Sequence, residues 1–277
     1  MGSLTNKIYG KVYNAYKKIQ ETYSYWSYRQ NNPAISPENK LLLNVGAGNW
    51  KCLGWLNLDF PSEWYKSAQE KNNFIAYDIR SDKIPFESNS VDAIYCSHVI
   101  EHIENEFVKN MFAECYRVLK KDSVFRIACP DAEFLYNISQ FRSDYWEWRK
   151  YDWFKSDLFN KKLIPREVDF LVRDIATPKL LGYKFSISQE EYLEQFNSMP
   201  MNDFFDFLTS DLNFRQECPG DHINYWTYEK MRHFLQGAGF ENVVKSKYMG
   251  SCCCEMTIRC KFDLTYPGMT LYVEALK

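Results

Sequence analysis

Four histidines occur in the chain, and three of them stand where an imidazole is able to take a proton from a substrate. His98 and His102 are four residues apart, so they share one face if this stretch opens a helix. His222 follows a Cys-Pro-Gly-Asp turn and has Asp221 beside it to orient its ring. Histidine suits general base catalysis at neutral pH, which makes these three the candidate catalytic residues. His233 lies inside a predicted helix, and we expect it at the surface.

Each candidate histidine also has a structural interpretation, which stays open at this point. His102 is then bonded to Glu101 or to backbone, and His98 is a wall of a cofactor pocket. His222 is then a loop residue that caps the following helix. Residue type and spacing alone do not choose between the catalytic and the structural roles.

A glycine-rich turn and two acidic residues predict a nucleotide pocket. Gly46 and Gly48 directly follow an apolar run, and glycine lets the backbone turn tightly and approach a ligand closely. Asp59 ends the next apolar run, where a carboxylate is able to accept two hydrogen bonds from ribose hydroxyls. Asp78 ends a third run and is followed by Ile79, which is able to pack on an adenine ring. A plain turn for the glycines and loop capping for the acids are the alternatives.

The spacing of these residues separates two classes of cofactor. A dinucleotide fingerprint needs a third glycine and an acidic residue about 20 positions further on. The third glycine is missing here, and Asp59 follows Gly48 after only eleven positions. The connection leaves little room for the helix N-terminus that cradles a pyrophosphate. A nucleoside without phosphates is therefore favoured over a nicotinamide dinucleotide.

Short apolar runs alternate with helical patterns along most of the chain, which predicts a parallel sheet covered on both faces. Strands are predicted at residues 41–45, 55–58, 74–77, 91–96, 124–129, 243–248, 255–262 and 269–275. Helices are predicted at residues 104–120 and after Thr227, which is a candidate helix cap. The segment 131–220 has no clear strand period and is too long for a simple loop, so it is interpreted as a mostly helical insertion.

The composition excludes several classes of protein. The chain has 277 residues, 45% of them hydrophobic, and a formal net charge of −2, so it has no general basic surface for nucleic acid or anionic membrane. No apolar run is long enough to span a membrane, and no secretory signal is visible. Nine cysteines without paired spacing indicate reduced thiols rather than disulfides or zinc ligands. We therefore expect a cytoplasmic protein with no metal site.

Six motifs in a fixed order resemble the class I S-adenosylmethionine (SAM) methyltransferases, of the small-molecule, Methyltransferase-11-like type. They cover roughly residues 40–131 and 222–276. The motifs are residues 44–49 (NVGAGN) with 54–59 (GWLNLD), 83–87 with 90–94 (KIPFE, SVDAI), 97–103 (SHVIEHI), 114–120 (ECYRVLK), 238–240 (AGF) and 271–275 (LYVEA). The family's usual prolines are replaced at Leu53 and at Lys121-Asp122. Both positions lie in turns, so the departures concern loop details.

The resemblance implies a Rossmann-like α/β fold with seven strands, the last antiparallel. It implies a SAM-binding half (40–130) and a C-terminal part of the Rossmann-like domain (221–277). The two segments that it does not cover are interpreted as an N-terminal helical lid (1–39) and an insertion that acts as substrate lid (131–220). It implies SAM as the cofactor. The residues it assigns to SAM are Gly46, Ala47, Gly48, Asn49, Asp59, Phe60, Asp78, Ile79, Cys96, Ser97 and His98.

Within this resemblance, His102 is the first candidate for the catalytic base, because some related enzymes place a histidine there. We expect methyl transfer to a small polar molecule, most readily at oxygen, such as a sugar, a sugar-nucleotide or a phosphorylated precursor in bacterial surface-polysaccharide or secondary-metabolite biosynthesis. A homo-oligomer is compatible with this interpretation. The alternatives are a nicotinamide-dependent oxidoreductase and a non-catalytic partner subunit of the same fold. A nucleic-acid methyltransferase is disfavoured by the net charge.

Overall fold

The computed structural model describes residues 40–277, apart from 71, 142, 152–159 and 260, and in addition Ala15 and Ile19. The predicted lid at residues 1–39 therefore lies outside the described residues, those two positions excepted. Within the described part, no helix has both the length and the apolar character needed to cross a bilayer.

Seven strands form one sheet in the order β3-β2-β1-β4-β5-β7-β6. The first five run parallel to one another, and β7 is antiparallel to both of its neighbours. The strands are β1 (Leu42–Val45), β2 (Trp55–Asp59), β3 (Ile75–Ala76), β4 (Val91–Ser97), β5 (Leu119–Pro130), β6 (Asn242–Lys245) and β7 (Thr270–Leu276). The prediction of a seven-stranded Rossmann-like sheet with one reversed strand is confirmed.

Helices cover the sheet and fill the long connection after β5. They are α1 (Lys66–Gln69), α2 (Asn105–Val118), α3 (Ala132–Phe141), α4 (Val168–Ile175), α5 (Gln189–Ser198), α6 (Met201–Thr209) and α7 (Tyr228–Gly237). The helix predicted at residues 104–120 is α2, whose buried residues Val108, Met111, Phe112 and Cys115 follow a helical period. Thr227 caps α7 as predicted, because its hydroxyl accepts a hydrogen bond from the Lys230 N–H.

The strand predicted at residues 255–262 is wrong. A short 3₁₀ helix, Cys254–Thr257, and a loop occupy this stretch. Its apolar residues Met256, Ile258 and Phe262 are buried against Leu42, Trp55 and other residues on one face of the sheet, without joining the strand ladder. Spacings of two and four residues imitate strand alternation, although here they reflect a loop packed on a hydrophobic surface.

The segment between β5 and α7 builds a second hydrophobic core of its own. This core is formed by helices α3 to α6 and also takes in Ile223 and Tyr225, which directly precede α7, and Met269, which precedes β7. The first core lies between the sheet and helices such as α2 and α7. Because residues that precede α7 and β7 join the second core, the helices after β5 are anchored to the carboxyl-end edge of the sheet.

A buried ion pair fixes the reversed strand in place. Arg126 of β5 is opposite Glu274 of β7 in the ladder and lies 3.0 Å from its carboxylate. The same guanidinium contacts Asp263 at 2.6 Å, and the side chains of all three residues are almost fully withdrawn from water. Removing one partner from such a group leaves the others as uncompensated buried charges.

Replacement of Arg126 should therefore destabilise the fold strongly. We expect Arg126→Met to lower the free energy of unfolding by about 3–5 kcal/mol, since Asp263 and Glu274 remain buried without their cation. Urea denaturation followed by circular dichroism measures the change. The control is Arg232→Met, because Arg232 pairs with Glu229 on the surface, where ion pairs contribute at most about 1 kcal/mol. Equal decreases in the free energy of unfolding of the two variants would contradict a stabilising role for the buried ion pairs of Arg126.

Candidate functional site

A cavity of about 380 Å³ opens at the carboxyl ends of β1, β2 and β4, and we call it the first cavity. Its walls include the four stretches of chain that follow β1, β2, β3 and β4. They contain all but one of the residues that the resemblance assigned to SAM: Gly46, Ala47, Gly48, Asn49, Asp59, Phe60, Asp78, Ile79, Ser97 and His98. Parallel strands bring these residues together because their carboxyl ends meet at the same edge of the sheet.

The turn after β1 needs glycine at its first position. Gly46 has a φ of +74°, and a Cβ added there would lie 2.1 Å from a methyl carbon of Val99. The N–H groups of Gly46 and Ala47 both point to the carbonyl of Leu58 at the end of β2, at 2.8 and 3.3 Å. The turn is thus held flat against β2, and its backbone forms the floor of the first cavity.

Asp59 is held rigidly at the end of β2. One carboxylate oxygen accepts hydrogen bonds from the Gly48 N–H (2.9 Å) and the Gln69 amide (3.1 Å), and the other accepts from the Phe60 N–H (3.0 Å). Burial raises the pKa of Asp59, although these hydrogen bonds oppose the shift. Three of the four lone-pair positions of the carboxylate are occupied, so one, on Oδ1, is left to accept a hydroxyl of a ribose.

Asp78 is paired with a residue that the sequence did not single out. The guanidinium of Arg80 binds its carboxylate through two hydrogen bonds of 2.9 and 2.7 Å. Burial works to raise the pKa of Asp78, but the contacts with Arg80 outweigh it and lower the pKa. Arg80 also lies over the ring of Phe214 at 4.0 Å and over that of Phe60 at 5.1 Å. Phe214 belongs to the segment after β5, which therefore contributes to the wall of the first cavity.

Cys96 is the exception among the predicted SAM residues. It is fully buried in the core, and its side chain does not line the cavity. Successive residues of a strand point to opposite faces, so the neighbours Tyr95 and Ser97 line the cavity while Cys96 points the other way. The prediction that Cys96 lines the cofactor pocket is wrong for this reason.

His98 follows β4 in a strained backbone conformation. Its φ is +54°, a left-handed value that non-glycine residues adopt mainly where surrounding structure enforces it. One ring nitrogen, Nε2, lies 3.1 Å from the Thr270 hydroxyl, and the other, Nδ1, lies 3.1 Å from the Glu101 carboxylate. The strained turn thus places the ring between β7 and the 3₁₀ turn Ile100–His102.

A second cavity of about 200 Å³ adjoins the first. His98, His102 and Thr265 line both cavities, so these three residues mark the passage between them. The second cavity is also lined by Glu101, Pro130, Arg173, Asp174, His222, Tyr266, Met269 and Thr270. The three candidate histidines are therefore brought together around one space, and Arg173 and Asp174 from a distant part of the chain face the same space.

His102 and His222 have the same hydrogen-bonded arrangement. The Nδ1 atom of His102 lies 2.9 Å from the carbonyl of Asp221, and that of His222 lies 2.7 Å from the carbonyl of Asp174. A carbonyl oxygen only accepts, so each Nδ1 carries the proton and each Nε2 keeps a lone pair. The rings are perpendicular, with centroids 4.8 Å apart. His102 therefore makes the backbone bond of its structural interpretation, whereas the following helix is capped by Thr227 and not by His222. Both rings remain available for chemistry at Nε2.

Charge in the second cavity is concentrated on Glu101. Burial alone would raise its pKa, but the contact with His98 and the surrounding imidazoles lower that pKa to about 2, so the carboxylate is ionised at neutral pH. Burial, and then the neighbouring His102, lower the pKa of His222 to about 3, so its ring is neutral. The second cavity is therefore lined by the ionised carboxylate of Glu101 and the neutral imidazole of His222.

Several residues of the site escaped prediction. Arg80 and Phe214 in the first cavity, and Asp174 in the second, carry no local motif. Glu101 was noted only as a partner for His102. Its position between two histidines in the stretch 97–103 is the one signal that pointed to it.

The nucleotide-binding half matches a known family. Residues 43–127 match the family described as "Methyltransferase domain". A search of curated protein sequences found no match to the chain.

Solved structures with a similar fold are remote in sequence. A SAM-dependent methyltransferase from Mesorhizobium loti is 16% identical, with a TM-score of 0.43 over 90% of this chain and 96% of that one. One from Archaeoglobus fulgidus is 13% identical, with a TM-score of 0.41 over 93% and 94%. A possible histamine N-methyltransferase from Thermotoga maritima is 13% identical, with a TM-score of 0.40 over 98% and 99%. Since these TM-scores are low, the similarity to methyltransferases rests on the family match over residues 43–127 and on the order of the strands.

The first cavity fits the nucleoside part of SAM. Gly46, Asp59 and Ile79 line its wall, and the Asp59 carboxylate is placed where it is able to accept a ribose hydroxyl. The volume of about 380 Å³ lies in the usual range for small-molecule sites. Residues 43–127 thus match a methyltransferase domain, and the sheet in the order 3-2-1-4-5-7-6 has the Rossmann-like methyltransferase fold.

Proposed function

We propose that the chain methylates an oxygen atom of a small polar molecule that binds in the second cavity. The observation that carries this proposal is that the two cavities adjoin. Their shared wall is formed by His98, His102 and Thr265, which line both cavities. An acceptor in the second cavity then approaches the first cavity beside two imidazoles. Bound SAM supplies a methyl group on a positively charged sulfur, and the acceptor oxygen that receives this methyl gives up its proton.

His102 is the residue that we propose to assist the loss of this proton. Its Nε2 carries a lone pair, because Nδ1 donates to the Asp221 carbonyl. The hydrogen bond to a backbone carbonyl also fixes the orientation of the ring. His222 presents a second neutral imidazole within the same cavity, and Glu101 holds a negative charge between them. This set suits an acceptor hydroxyl, which is a poor nucleophile while it keeps its proton.

The lining of the second cavity supports a polar acceptor of modest size. Arg173, Asp174 and Glu101 are charged residues on its wall, and Tyr266 and Thr270 add hydroxyl-bearing side chains. A volume of about 200 Å³ suits a compact molecule or one part of a larger one. Sugars, sugar-nucleotides and phosphorylated precursors present hydroxyls next to groups that such residues bind. We therefore propose an acceptor of this class, in surface-polysaccharide or secondary-metabolite biosynthesis in the cytoplasm.

The direct test is transfer of a labelled methyl group. The purified chain is incubated with [methyl-³H]SAM and separate pools of sugars, sugar phosphates and nucleotide sugars, and the products are separated by ion-exchange chromatography. We expect label in a compound of one pool, as an ether that resists mild base. Binding of S-adenosylhomocysteine without any transfer would instead favour a non-catalytic partner subunit. Label in an amine or a nucleic acid would overturn the proposed acceptor class.

Substitution of Asp59 should weaken cofactor binding. We expect Asp59→Asn to raise the Kd for S-adenosylhomocysteine roughly tenfold, because hydrogen bonds to a charged acceptor contribute about 1.5–3 kcal/mol and the ribose loses that acceptor. Isothermal titration calorimetry measures the Kd. Glu63→Gln is the matched control, since the Glu63 side chain is 88% exposed in an ion pair with Lys66. An unchanged Kd in Asp59→Asn would remove Asp59 from the cofactor site.

Substitution of His102 should slow methyl transfer and spare cofactor binding. We expect His102→Ala to reduce kcat by about 10² or more, the usual contribution of assisted proton transfer, while the Kd for S-adenosylhomocysteine stays within about twofold. The exposed His233 provides the matched control as His233→Ala. If kcat is the same in His102→Ala and in the control, His102 has no role in the reaction.

A further inference from the structure

Glu101, His102 and His222 form a cluster with the composition of a metal site. One ligand atom from each residue lies within 4.8 Å of those of the other two. Three ligand atoms that each lie about 2.1 Å from one ion are about 3.4 Å apart in a tetrahedral site, so side-chain shifts of about 1 Å bring these atoms onto an ion. The residues come from two stretches of chain, the turn after β4 and the segment before α7, so the cluster is a product of the tertiary fold.

The backbone holds these two stretches together without help from the side chains. The Glu101 carbonyl accepts hydrogen bonds from the N–H groups of Ile223 (2.9 Å) and Asn224 (3.1 Å). The His222 N–H donates to the Thr177 hydroxyl at 3.0 Å, and its carbonyl accepts from the Thr177 N–H at 2.9 Å. The three side chains are therefore placed near one another by the fold itself, as a preformed site requires.

Both histidines are oriented as metal ligands usually are. A ligating imidazole nearly always donates its second N–H to a carboxylate or backbone carbonyl, which fixes the tautomer and the direction of the ring. His102 makes this bond to the Asp221 carbonyl, and His222 makes it to the Asp174 carbonyl. The Nε2 lone pairs of both rings are left for an ion. Nε2 of His102 lies 3.9 Å from the Glu101 carboxylate.

The Glu101 carboxylate is a buried acceptor whose hydrogen-bonding capacity is unused. Its side chain is 1% exposed, and neither oxygen accepts a hydrogen bond of ordinary geometry from the described residues. The nearest histidine ring nitrogen is Nδ1 of His98, which lies 3.1 Å from Oε1. Buried polar atoms are nearly always satisfied, so such a group calls for an explanation. A carboxylate has two oxygens, so contact with His98 leaves room for a second partner.

We propose that Glu101, His102 and His222 bind one divalent transition-metal ion whose open coordination positions face the second cavity. Two imidazoles and one carboxylate suit Mn²⁺, Fe²⁺, Co²⁺ or Zn²⁺, and three protein ligands leave positions for an acceptor oxygen. The expectation that the chain has no metal site came from the cysteine spacing, and none of these ligands is a cysteine. The binding of the ion is independent of the proposed function.

A role for the ion in catalysis does rest on the proposed function. An acceptor hydroxyl bound to the ion loses its proton more readily, because the positive charge stabilises the resulting oxygen anion. His102 then assists proton loss as a ligand of the ion. The effect of His102→Ala on kcat is the same in either case, so the two roles must be separated by measuring the metal.

Metal binding is tested on the full chain without reference to activity. The chain is treated with EDTA, dialysed and titrated with MnCl₂ in a calorimeter. Mn²⁺ is chosen because it prefers nitrogen and oxygen ligands over the thiols of Cys252, Cys253 and Cys254. We expect one equivalent to bind the wild type, and Glu101→Gln, His102→Ala and His222→Ala each to weaken binding at least tenfold. The exposed His233→Ala is the control and should bind like the wild type.

The readouts separate the possible failures. Each variant is first checked for folding by circular dichroism and for binding of S-adenosylhomocysteine, which uses the first cavity. Folded variants that bind Mn²⁺ as tightly as the wild type, or a wild type that binds none, would overturn the metal site. If Mn²⁺ binds but EDTA leaves methyl transfer unchanged, the site stands and its catalytic role is refuted. If Mn²⁺ binds and no oxygen acceptor is ever methylated, the proposed function fails and the metal site stands.

Discussion

Glu101 contributes to the second cavity through both its backbone and its side chain. Its carbonyl oxygen joins the turn after β4 to the segment that leads into α7, through the N–H groups of Ile223 and Asn224. Its carboxylate is withdrawn from water and ionised, and an ionised group in that position requires positive or strongly polar partners. The fold provides such partners by placing His98, His102 and His222 around the Glu101 side chain.

The first cavity was predictable because its residues lie in short sequence motifs. Gly46, Asp59 and Asp78 each stand directly after an apolar run, and the ends of parallel strands meet at one edge of the sheet. Strand order then brings them into the first cavity with no further information needed. Cys96 was the exception. It lies at the predicted edge of the sheet, but side chains alternate along β4, so its thiol points into the core while those of Tyr95 and Ser97 line the cavity.

The second cavity was only partly predictable, because the residues that line it come together through long-range contacts. His222 stands 120 positions after His102 in the numbering, and no periodicity relates them. Arg173 and Asp174 reach the cavity because α4 packs within the second hydrophobic core, which a pattern of aromatic residues suggests only in outline. The pairing of Arg80 with Phe214 likewise needs the segment after β5 to fold back over the first cavity. Short motifs do not encode contacts of this kind.

The position of β7 in the sheet imposes an order on folding. β6 precedes β7 along the chain, yet among the described strands it borders only β7, and β7 separates it from β5. During synthesis, residues 242–245 therefore emerge without a strand to pair with, and one side of the twelve-residue β5 stays open until residues 270–276 arrive. An open strand edge is a template for pairing with other chains. The nascent protein thus carries its greatest risk of aggregation just before the reversed strand inserts and closes the sheet.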